Sequence, residues 1–302
     1  MKKILYYIKS MRLRSLPLSL AGVCLGMALA ASDYRISWKV ALLVMLTTCC
    51  LQILSNISNE LGDAMSGVDT AERKGPQYSI GEGGLTFAEM KRFVKIMAVI
   101  CALSGLLMLQ ASYGTLFALE PVCLIALGAA AIGGAIKYTL GRNPYGYRGL
   151  GDISVFIFFG IVAVLGSYFV VAHTIPSWIF ILPAVAIGAF SIGVLNVNNI
   201  RDMKTDAGIR VTVPIRLGLK RARIYHTILI VVGWSCLIAF NLMRFPDPWH
   251  WLFALTLPLY IYNLHGVWTR TERALDPLLP QLVLSTFALS ILMGAGYLIF
   301  LI

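Results

Sequence analysis

The stretch VALLVMLTTCCLQILSNISNELGDAMSGVD, residues 40–69, begins as an apolar run and ends as a polar cluster. Its first part holds about twenty uncharged residues, enough for a helix to cross the roughly 30 Å hydrocarbon core of a bilayer, and therefore predicts a membrane span. Its second part carries two carboxamides and three carboxylates within fourteen positions: Asn56, Asn59, Glu60, Asp63 and Asp69. Polar groups beside a membrane are costly unless they have partners, so this end of the span is a candidate functional site.

The composition predicts an all-α integral membrane protein. Of the 302 residues, 58% are hydrophobic and 13% are charged, and the mean hydropathy of +0.79 lies outside the range of soluble globular domains. The segments long and apolar enough to span a bilayer lie near residues 15–31, 37–58, 93–111, 121–138, 152–172, 177–196, 225–243, 249–268 and 281–301. We therefore expect a single domain, residues 1–302, with nine transmembrane helices.

The distribution of Lys and Arg predicts the orientation of these helices. Of the 25 basic residues, three (Arg35, Lys39 and Arg244) lie on one side of the predicted bundle and the rest on the other. Because loops rich in Lys and Arg stay in the cytoplasm, we expect the N-terminus inside and the C-terminus outside, in a bacterial cytoplasmic (inner) membrane. The same bias explains the net charge of +11 without a nucleic-acid partner.

Cysteine, histidine and targeting patterns predict no further site. The six cysteines lie inside apolar segments with no Cys-x-x-Cys spacing, which is typical of small buried side chains. The four histidines lie in separate elements and do not form a metal-binding pattern. The N-terminus has no small-residue cleavage site after a short apolar region, so no removable signal peptide is predicted.

Two long loops on the predicted cytoplasmic side, about 59–92 and 197–224, carry two aspartate-rich motifs. Long loops in a compact bundle tend to carry function. The second contains NVNNIRDMKTDAGIRVTVPIRLG, residues 196–218, and repeats the order of carboxamides followed by acids seen in the first. A weak internal duplication would explain this repetition, and one bundle would bring both motifs face to face.

Helical spacing would place the polar residues of each motif on one face. The two sets are Asn56, Asn59 and Asp63 in the first motif and Asn198, Asp202 and Asp206 in the second. Clustered carboxylates repel one another unless a cation neutralises them, and Mg²⁺ usually binds through a few carboxylates together with phosphate oxygens. The motifs therefore predict a metal-bound diphosphate. Basic neighbours that would contact its free oxygens are Arg73, Lys74, Arg142, Arg148, Arg201 and Lys204.

Both motifs resemble those of the UbiA superfamily of intramembrane prenyltransferases, which have nine helices and aspartate-rich motifs after helices 2 and 6. The resemblance covers almost the whole chain. The stretches most similar to the branch that prenylates 1,4-dihydroxy-2-naphthoate in menaquinone biosynthesis are NISNELGDAMSGVD (56–69), YTLGRNPYGYRGLGDISVFIFFG (138–160) and NNIRDMKTDAG followed by TVPIRLG (198–218). MRLRSLPLSLAGVCLG (11–26) is similar to that branch's Arg-x-x-x-Leu-Pro entry into helix 1.

The resemblance implies transfer of a polyprenyl group from polyprenyl diphosphate to 1,4-dihydroxy-2-naphthoate with decarboxylation, giving demethylmenaquinone, within membrane lipid and with Mg²⁺ as cofactor. It implies that Mg²⁺ is held by Asn59, Asp63, Asp69, Asp202 and Asp206, of which the four aspartates are the catalytic residues. The predicted substrate-binding residues are Asn56, Asn59, Asn198, Asn199, Arg73, Lys74, Lys137, Tyr138, Arg142, Tyr147, Arg148 and Arg201.

That reaction requires a binding site with one charged end and one end from which water is excluded. Diphosphate leaves only if its growing charge is stabilised, and the allylic cation must be kept from water. Aromatic ring faces attract positive charge. The predicted aromatic candidates are Tyr138, Tyr145, Tyr147, Phe156, Phe158 and Phe159.

Two alternatives remain open at this point. A UbiA-type enzyme for another aromatic acceptor would share the same motifs, and a transporter with acidic cytoplasmic gates would share the membrane spans. The predicted spans have no central acid or base, which favours the enzyme over the transporter. Two positions depart from the family pattern: Glu60 stands where many relatives have Asp, and Tyr78 where many have Arg.

Overall fold

The computed structural model of the chain describes residues 2–67, 79–244 and 247–299, and these segments are almost entirely helical. The α-helices, in chain order, are α1 (Lys2–Ser10), α2 (Leu16–Asp33), α3 (Trp38–Ser66), α4 (Phe87–Tyr113), α5 (Leu119–Lys137), α6 (Gly151–Val155), α7 (Ser167–Ala172), α8 (Ile181–Arg201), α9 (Met203–Asp206), α10 (Val213–Leu217), α11 (Leu219–Met243), α12 (Leu257–Thr269) and α13 (Leu278–Leu298). Within these segments, Arg148 and Val211 form an isolated β-bridge. The predicted all-α fold is confirmed.

Eight helical stretches of the described chain are long and apolar enough to cross a membrane. They correspond to the predicted spans other than the one near 249–268. There the chain forms a nine-residue 3-10 helix, Pro248–Thr256, followed by the thirteen-residue α12. Pro258 lies at the start of α12, and its missing N–H prevents a regular α-helix from continuing through the preceding turn. The nine predicted spans are thus eight long helices and one broken one.

Helix α3 continues past the apolar run into the first polar motif, as the spacing predicts. It ends at Ser66, where Gly67 adopts the left-handed conformation with a φ of 76° that glycine tolerates. Asn56, Asn59 and Asp63 therefore lie at i, i+3 and i+7 on one helical face. This predicted stripe is confirmed.

The second motif does not form one continuous helix. Helix α8 ends at Arg201, Asp202 has non-helical backbone angles (φ −95°, ψ 7°), and the short α9 begins at Met203. The predicted helical stripe through Asn198, Asp202 and Asp206 is therefore interrupted at Asp202, although the N–H groups of Asp202 and Asp206 each donate to the carbonyl four residues before them. The Arg201 guanidinium binds the carboxylate of its neighbour Asp202 through two hydrogen bonds, and adjacent side chains do not face each other on a regular helix.

The fifth span is α-helical at both ends and π-helical between them, over Phe156–Gly166. Turns of π-helix are rare and occur frequently at functional sites. This segment packs closely on α2 and α8. A Cβ atom added at Gly22 would lie 2.7 Å from Ala163, and one added at Gly160 would lie 2.6 Å from the carbonyl oxygen of Ala184. Small residues allow membrane helices to approach this closely.

Two hydrophobic clusters organise the bundle. The larger joins α2, the π-helical segment, α8, α11 and α13, and its fully buried side chains include Phe190 and Phe240. The smaller joins α3 and α4 through residues such as Leu54 and Met90. Because lipid tails are as apolar as these side chains, close packing contributes more to helix association in the membrane than removal from water does.

A partly buried arginine connects helices at the end of the bundle opposite to the motifs. Arg244 forms an ion pair with Asp33, and its guanidinium lies 5.0 Å from the ring centre of Phe180 and 4.9 Å from that of Tyr297. Tyr168 donates a hydrogen bond to the same aspartate. Cation–π contacts and the carboxylate together compensate for removing this charge from water.

The loops predicted to share one membrane face contact one another. The backbone N–H of Val211 donates to the carbonyl of Tyr147 over 2.8 Å, and Arg216 donates to the carbonyl of Arg148. On the same face Lys9 of α1 pairs with Glu82. The N-terminus and the three polar connections after α3, α5 and α8 therefore lie together, while their cytoplasmic orientation stays a prediction.

Candidate active site

A large cavity enters the bundle from the face that carries the two motifs. Its volume is about 560 Å³, and its walls come from α2, α3, α4, α5, the π-helical segment and α8. The end near the motifs is polar and the deeper wall is apolar. The predicted site residues that line it are Asn56, Asn59, Asp63, Tyr138, Asn198, Asn199 and Arg201.

Arg210 lies between the carboxylates of the two motifs. Its Nη2 is 2.7 Å from Asp206 Oδ2, and its Nη1 is 3.7 Å from Asp63 Oδ1. Burial by itself lowers the pKa of Arg210, but the negative charges of Asp63 and Asp206 outweigh burial and raise that pKa above its ordinary value. One guanidinium thus neutralises an acid from each motif.

Tyr147 contacts Asp63 at Oδ1, the carboxylate oxygen that also lies 3.7 Å from Arg210 Nη1. Its hydroxyl donates to Asp63 Oδ1 over 2.8 Å and lies 2.9 Å from the hydroxyl oxygen of Ser66. Burial, and then the charge of Asp63, raise the pKa of Tyr147. The phenol therefore remains a neutral hydrogen-bond donor that orients the carboxylate.

Arg201 organises the second motif. It binds both carboxylate oxygens of Asp202, at 2.8 and 2.6 Å, and also Asp276 at 3.0 Å. Its Nη2 donates to Asn198 Oδ1 over 2.8 Å. Such a planar fork fixes several acceptors at once, so Arg201 holds Asn198 and Asp202 in place at the mouth of the cavity.

Asn56 positions a cation that the sequence pattern did not assign to the site. Its Nδ2 donates to the carbonyl of Met11 and to the hydroxyl of Ser15, both over 2.8 Å, and its Oδ1 accepts from Gln52. These bonds hold the turn between α1 and α2, where Arg12 has a left-handed φ of 48°. The turn brings Arg12 to the cavity wall.

Asn59 contacts the segment that follows α5. Its Oδ1 accepts a hydrogen bond of 3.3 Å from Thr139, whose hydroxyl also donates to the carbonyl of Ser58. A Cβ atom added at Gly62 would lie 2.5 Å from Thr139. The small residue lets α3 approach this segment closely, which brings the first motif beside Tyr138 in the cavity wall.

Other predicted site residues stand away from the cavity wall or outside the described chain. Lys137, Arg142 and Arg148 are exposed at the same face. Tyr147, Asp202 and Asp206 contact residues of the wall without lining it themselves. Asp69, Arg73, Lys74 and Tyr78 lie outside the described residues. Their roles in binding metal or substrate stay predictions.

Some of the predicted aromatic residues line the cavity and others do not. Tyr138, Tyr145, Phe158 and Phe159 line the cavity. The ring of Phe156 instead packs against Gly188, where an added Cβ atom would lie 2.7 Å from it. The Tyr145 hydroxyl donates to the carbonyl of Gly134 over 2.9 Å, which fixes this ring in the wall.

Sequence reasoning missed Arg12, Asp152 and Arg210, which all line the cavity. Arg210 stands four positions after Asp206, a spacing that signals a possible ion pair. By contrast, Glu60 accepts a hydrogen bond from the N–H of Ile80 and is absent from the cavity wall. Glu60, which stands where many relatives have Asp, therefore holds the loop that contains Ile80 and does not line the cavity.

The side-chain oxygens at the polar end of the cavity are better suited to hold Mg²⁺ that is also bound to a diphosphate than to hold a metal ion by themselves. No group of three or more His, Cys, Asp or Glu side chains in the described segments is close enough to hold a metal by itself. Mg²⁺, however, commonly binds through one or two carboxylates plus substrate phosphates. Asp63 and Asp206, brought together at Arg210, fit that requirement.

The comparisons with known proteins agree with this geometry. The profile of the UbiA prenyltransferase family matches residues 19–286. The chain is 40% identical to 1,4-dihydroxy-2-naphthoate octaprenyltransferase of Escherichia coli (strain K12), covering 96% of this chain and 94% of that protein. It is 38% identical to the enzyme of that name from Haemophilus influenzae, covering 99% and 97%.

A solved structure shows the same fold. The UbiA homolog from Archaeoglobus fulgidus bound to GPP and Mg²⁺ superposes with a TM-score of 0.64, at 14% identity, covering 95% of this chain and 99% of that one.

Proposed function

Because the chain belongs to the UbiA prenyltransferase family, we propose that it transfers a polyprenyl group from polyprenyl diphosphate to 1,4-dihydroxy-2-naphthoate, with loss of the ring carboxylate as carbon dioxide. The observation that carries this proposal is the cavity, which has acids and guanidinium groups at one end and an apolar wall beyond. That division suits a substrate with a charged head and a hydrocarbon chain. The acceptor is proposed from the names of the two bacterial relatives.

The polar end supplies charge where the diphosphate would leave. Asp63 and Asp206, with the Asn59 carboxamide, would hold Mg²⁺, which when bound neutralises the charge that develops on the departing phosphate oxygens. Arg12, Arg201 and Arg210 are placed to bind oxygens that the metal leaves free. Fixed positive groups in a site that excludes water stabilise developing charge more strongly than mobile water does, so this end favours cleavage of the carbon–oxygen bond.

The apolar wall protects the other product of that cleavage. The rings of Phe158 and Phe159 line it, together with aliphatic residues of α4 and α5. They exclude water, which would otherwise capture the allylic cation, and their faces attract its positive charge. The cation then reacts with the ring of the acceptor as the nucleophile, because water is kept away from it.

Two other functions fit the observations less well. A different aromatic acceptor would use the same diphosphate site, and only its own pocket would change. A transporter would be expected to hold polar groups near the bilayer centre, whereas the acids and arginines of this cavity gather at one end.

The chain is a membrane protein with several spans, and the two relatives named above are bacterial. We propose that the protein lies in the bacterial inner membrane, with the motif-bearing face and the N-terminus in the cytoplasm. The supporting observation is the excess of Lys and Arg on that face.

The decisive assay uses purified protein in detergent with Mg²⁺, a series of polyprenyl diphosphates and 1,4-dihydroxy-2-naphthoate. We expect a prenylated product and one carbon dioxide per turnover. 4-Hydroxybenzoate serves as the control acceptor and should give at least about a hundredfold less product, because a site shaped for a fused ring system loses contacts and orientation with a single ring. Equal turnover of both acceptors would refute the assignment of the acceptor.

A further inference from the structure

Asp152 is a buried carboxylate that the diphosphate site does not use. It lies in the first turn of α6, is 9% exposed, and lines the cavity. The diphosphate end is formed by Asp63 and Arg210, and Asp152 is in contact with neither in the hydrogen bonds or ion pairs of the described chain.

The surroundings of Asp152 differ from those of the motif acids. Asp63 and Asp206 face Arg210, and Asp202 faces Arg201. Over the described ranges, Asp152 forms no ion pair, and the side chain that donates to it is Tyr225, whose hydroxyl is 2.8 Å from Oδ2. A carboxylate kept from water without a cation is costly. Such a residue in a membrane protein commonly serves a function.

Tyr138 lines the same cavity as Asp152 and lies beside the turn that carries it. Its ring packs on Gly146, and a Cβ atom added at Gly151 would lie 2.7 Å from its hydroxyl. The same phenol interacts electrostatically with Arg210 and with Asp152. Asp152, the residue after Gly151, therefore lies near the Tyr138 hydroxyl in the same cavity that Asp63 and Arg210 line.

The titratable groups that face Asp152 are phenols. They are Tyr225 from α11 and Tyr138 from the segment after α5. Helix α8 packs on the same turn and presents Leu195, 3.4 Å from the position of an added Gly151 Cβ. Among the described residues, no lysine or arginine forms a salt bridge with the Asp152 carboxylate.

The acceptor of the proposed reaction needs such a group. A phenolic ring attacks a carbon cation more readily as its hydroxyl proton is removed, and a positioned carboxylate that takes this proton is a general base. We propose, resting on the function proposed above, that Asp152 binds the acceptor hydroxyl next to the carbon that is prenylated and accepts its proton as the carbon–carbon bond forms.

The steps balance as follows. The carbon–oxygen bond of the prenyl diphosphate breaks and both electrons leave with the diphosphate. The ring carbon that carries the carboxylate donates an electron pair to the prenyl carbon, while the hydroxyl proton passes to Asp152 and the hydroxyl oxygen becomes a ketone. Carbon dioxide then leaves its bonding pair to the ring, the ketone oxygen becomes a phenolate, and Asp152 returns the proton to it.

A purely structural role predicts a different pattern. If the carboxylate only ties α6 to α11 through Tyr225, then removing either partner should cost similar stability and activity. If Asp152 is the base, Tyr225→Phe keeps the carboxylate and loses only one hydrogen bond to it. Asp152→Asn keeps the shape and the bond to Tyr225 but removes the proton acceptor.

The experiment compares these two variants with the exposed control Arg221→Gln. For Asp152→Asn we expect a kcat at least about a hundredfold lower, with binding of a non-reacting prenyl thiodiphosphate and Mg²⁺ within about twofold of wild type. Its residual rate should rise about tenfold per pH unit as the acceptor ionises in solution, whereas the wild-type rate should change little. Tyr225→Phe should lose less activity than Asp152→Asn and show no such pH rise.

Three results would overturn the assignment. Wild-type kcat in Asp152→Asn refutes it directly, as do equal losses of activity and Tm in both variants without the pH-dependent recovery. Wild-type protein that fails to prenylate 1,4-dihydroxy-2-naphthoate would refute the proposed function itself, and the assignment with it. An active wild type with an active Asp152→Asn variant refutes this inference alone.

Discussion

Replacing Arg210 by glutamine removes a guanidinium that contacts acids of both motifs, at 2.7 Å from Asp206 and 3.7 Å from Asp63. At an effective dielectric constant of about 20, these separations correspond to attractions of about 6 and about 4 kcal/mol. Desolvation of the three groups offsets much of this, and breaking a buried pair typically costs about 3–5 kcal/mol. The side chains are at most 10% exposed, so solvent screens the pair little.

The assay is thermal unfolding of the purified protein in detergent, with EDTA and with Mg²⁺. In EDTA we expect Arg210→Gln to lower Tm by about 6–20 °C, since the loss is about 3–5 kcal/mol and about 1 kcal/mol shifts Tm by roughly 2–4 °C in proteins approaching this size. Mg²⁺ alone should raise the Tm of the variant more than that of wild type, because the ion neutralises the carboxylates that lost their guanidinium.

Arg221→Gln is the matched control, because it removes the same charge from an exposed position nearby. It should leave Tm and the response to Mg²⁺ unchanged. An unaltered Tm for Arg210→Gln in EDTA would show that the two acids do not depend on Arg210, and an equal shift in the control would show that the effect is one of overall charge.

Three further predictions follow from the site. Asp63→Ala or Asp202→Ala should lower turnover by at least about a hundredfold, and a chelator should abolish wild-type activity until Mg²⁺ is restored; full activity in either variant would remove that residue from the site. Tyr147→Phe should lower kcat by about fivefold, the loss expected for about 1 kcal/mol of hydrogen bonding. Because the pKa of Tyr147 is raised, the phenol stays protonated and this ratio should be constant from about pH 6 to pH 9, so a ratio that falls towards 1 at about pH 9 would contradict the contact with Asp63. Accessibility tags on the N-terminus and on the loops after α3, α5 and α8 should report the cytoplasm, and a periplasmic signal from the loop after α8 would separate the two motifs.

Local patterns were sufficient to predict the membrane spans and the first motif. A bilayer imposes a minimum length on each apolar helix, so the spans can be counted from composition alone. The periodicity of a helix likewise places Asn56, Asn59 and Asp63 on one face, and α3 continues through them. The broken helix at Pro248–Thr256 and the π-helical segment Phe156–Gly166 left no comparable signal in hydropathy.

What the sequence by itself determined is therefore the class of fold and the positions of the polar motifs along the chain. Tertiary structure decided which charges meet. Arg210 is one of seven basic residues in its loop, and only the folded chain places it between Asp63 and Asp206. Asp152 reads locally as one acid before an apolar run, but packing buries it at the cavity with a phenol as its partner. Electrostatic interactions depend on distance and burial, and both are set by contacts between residues far apart in the chain.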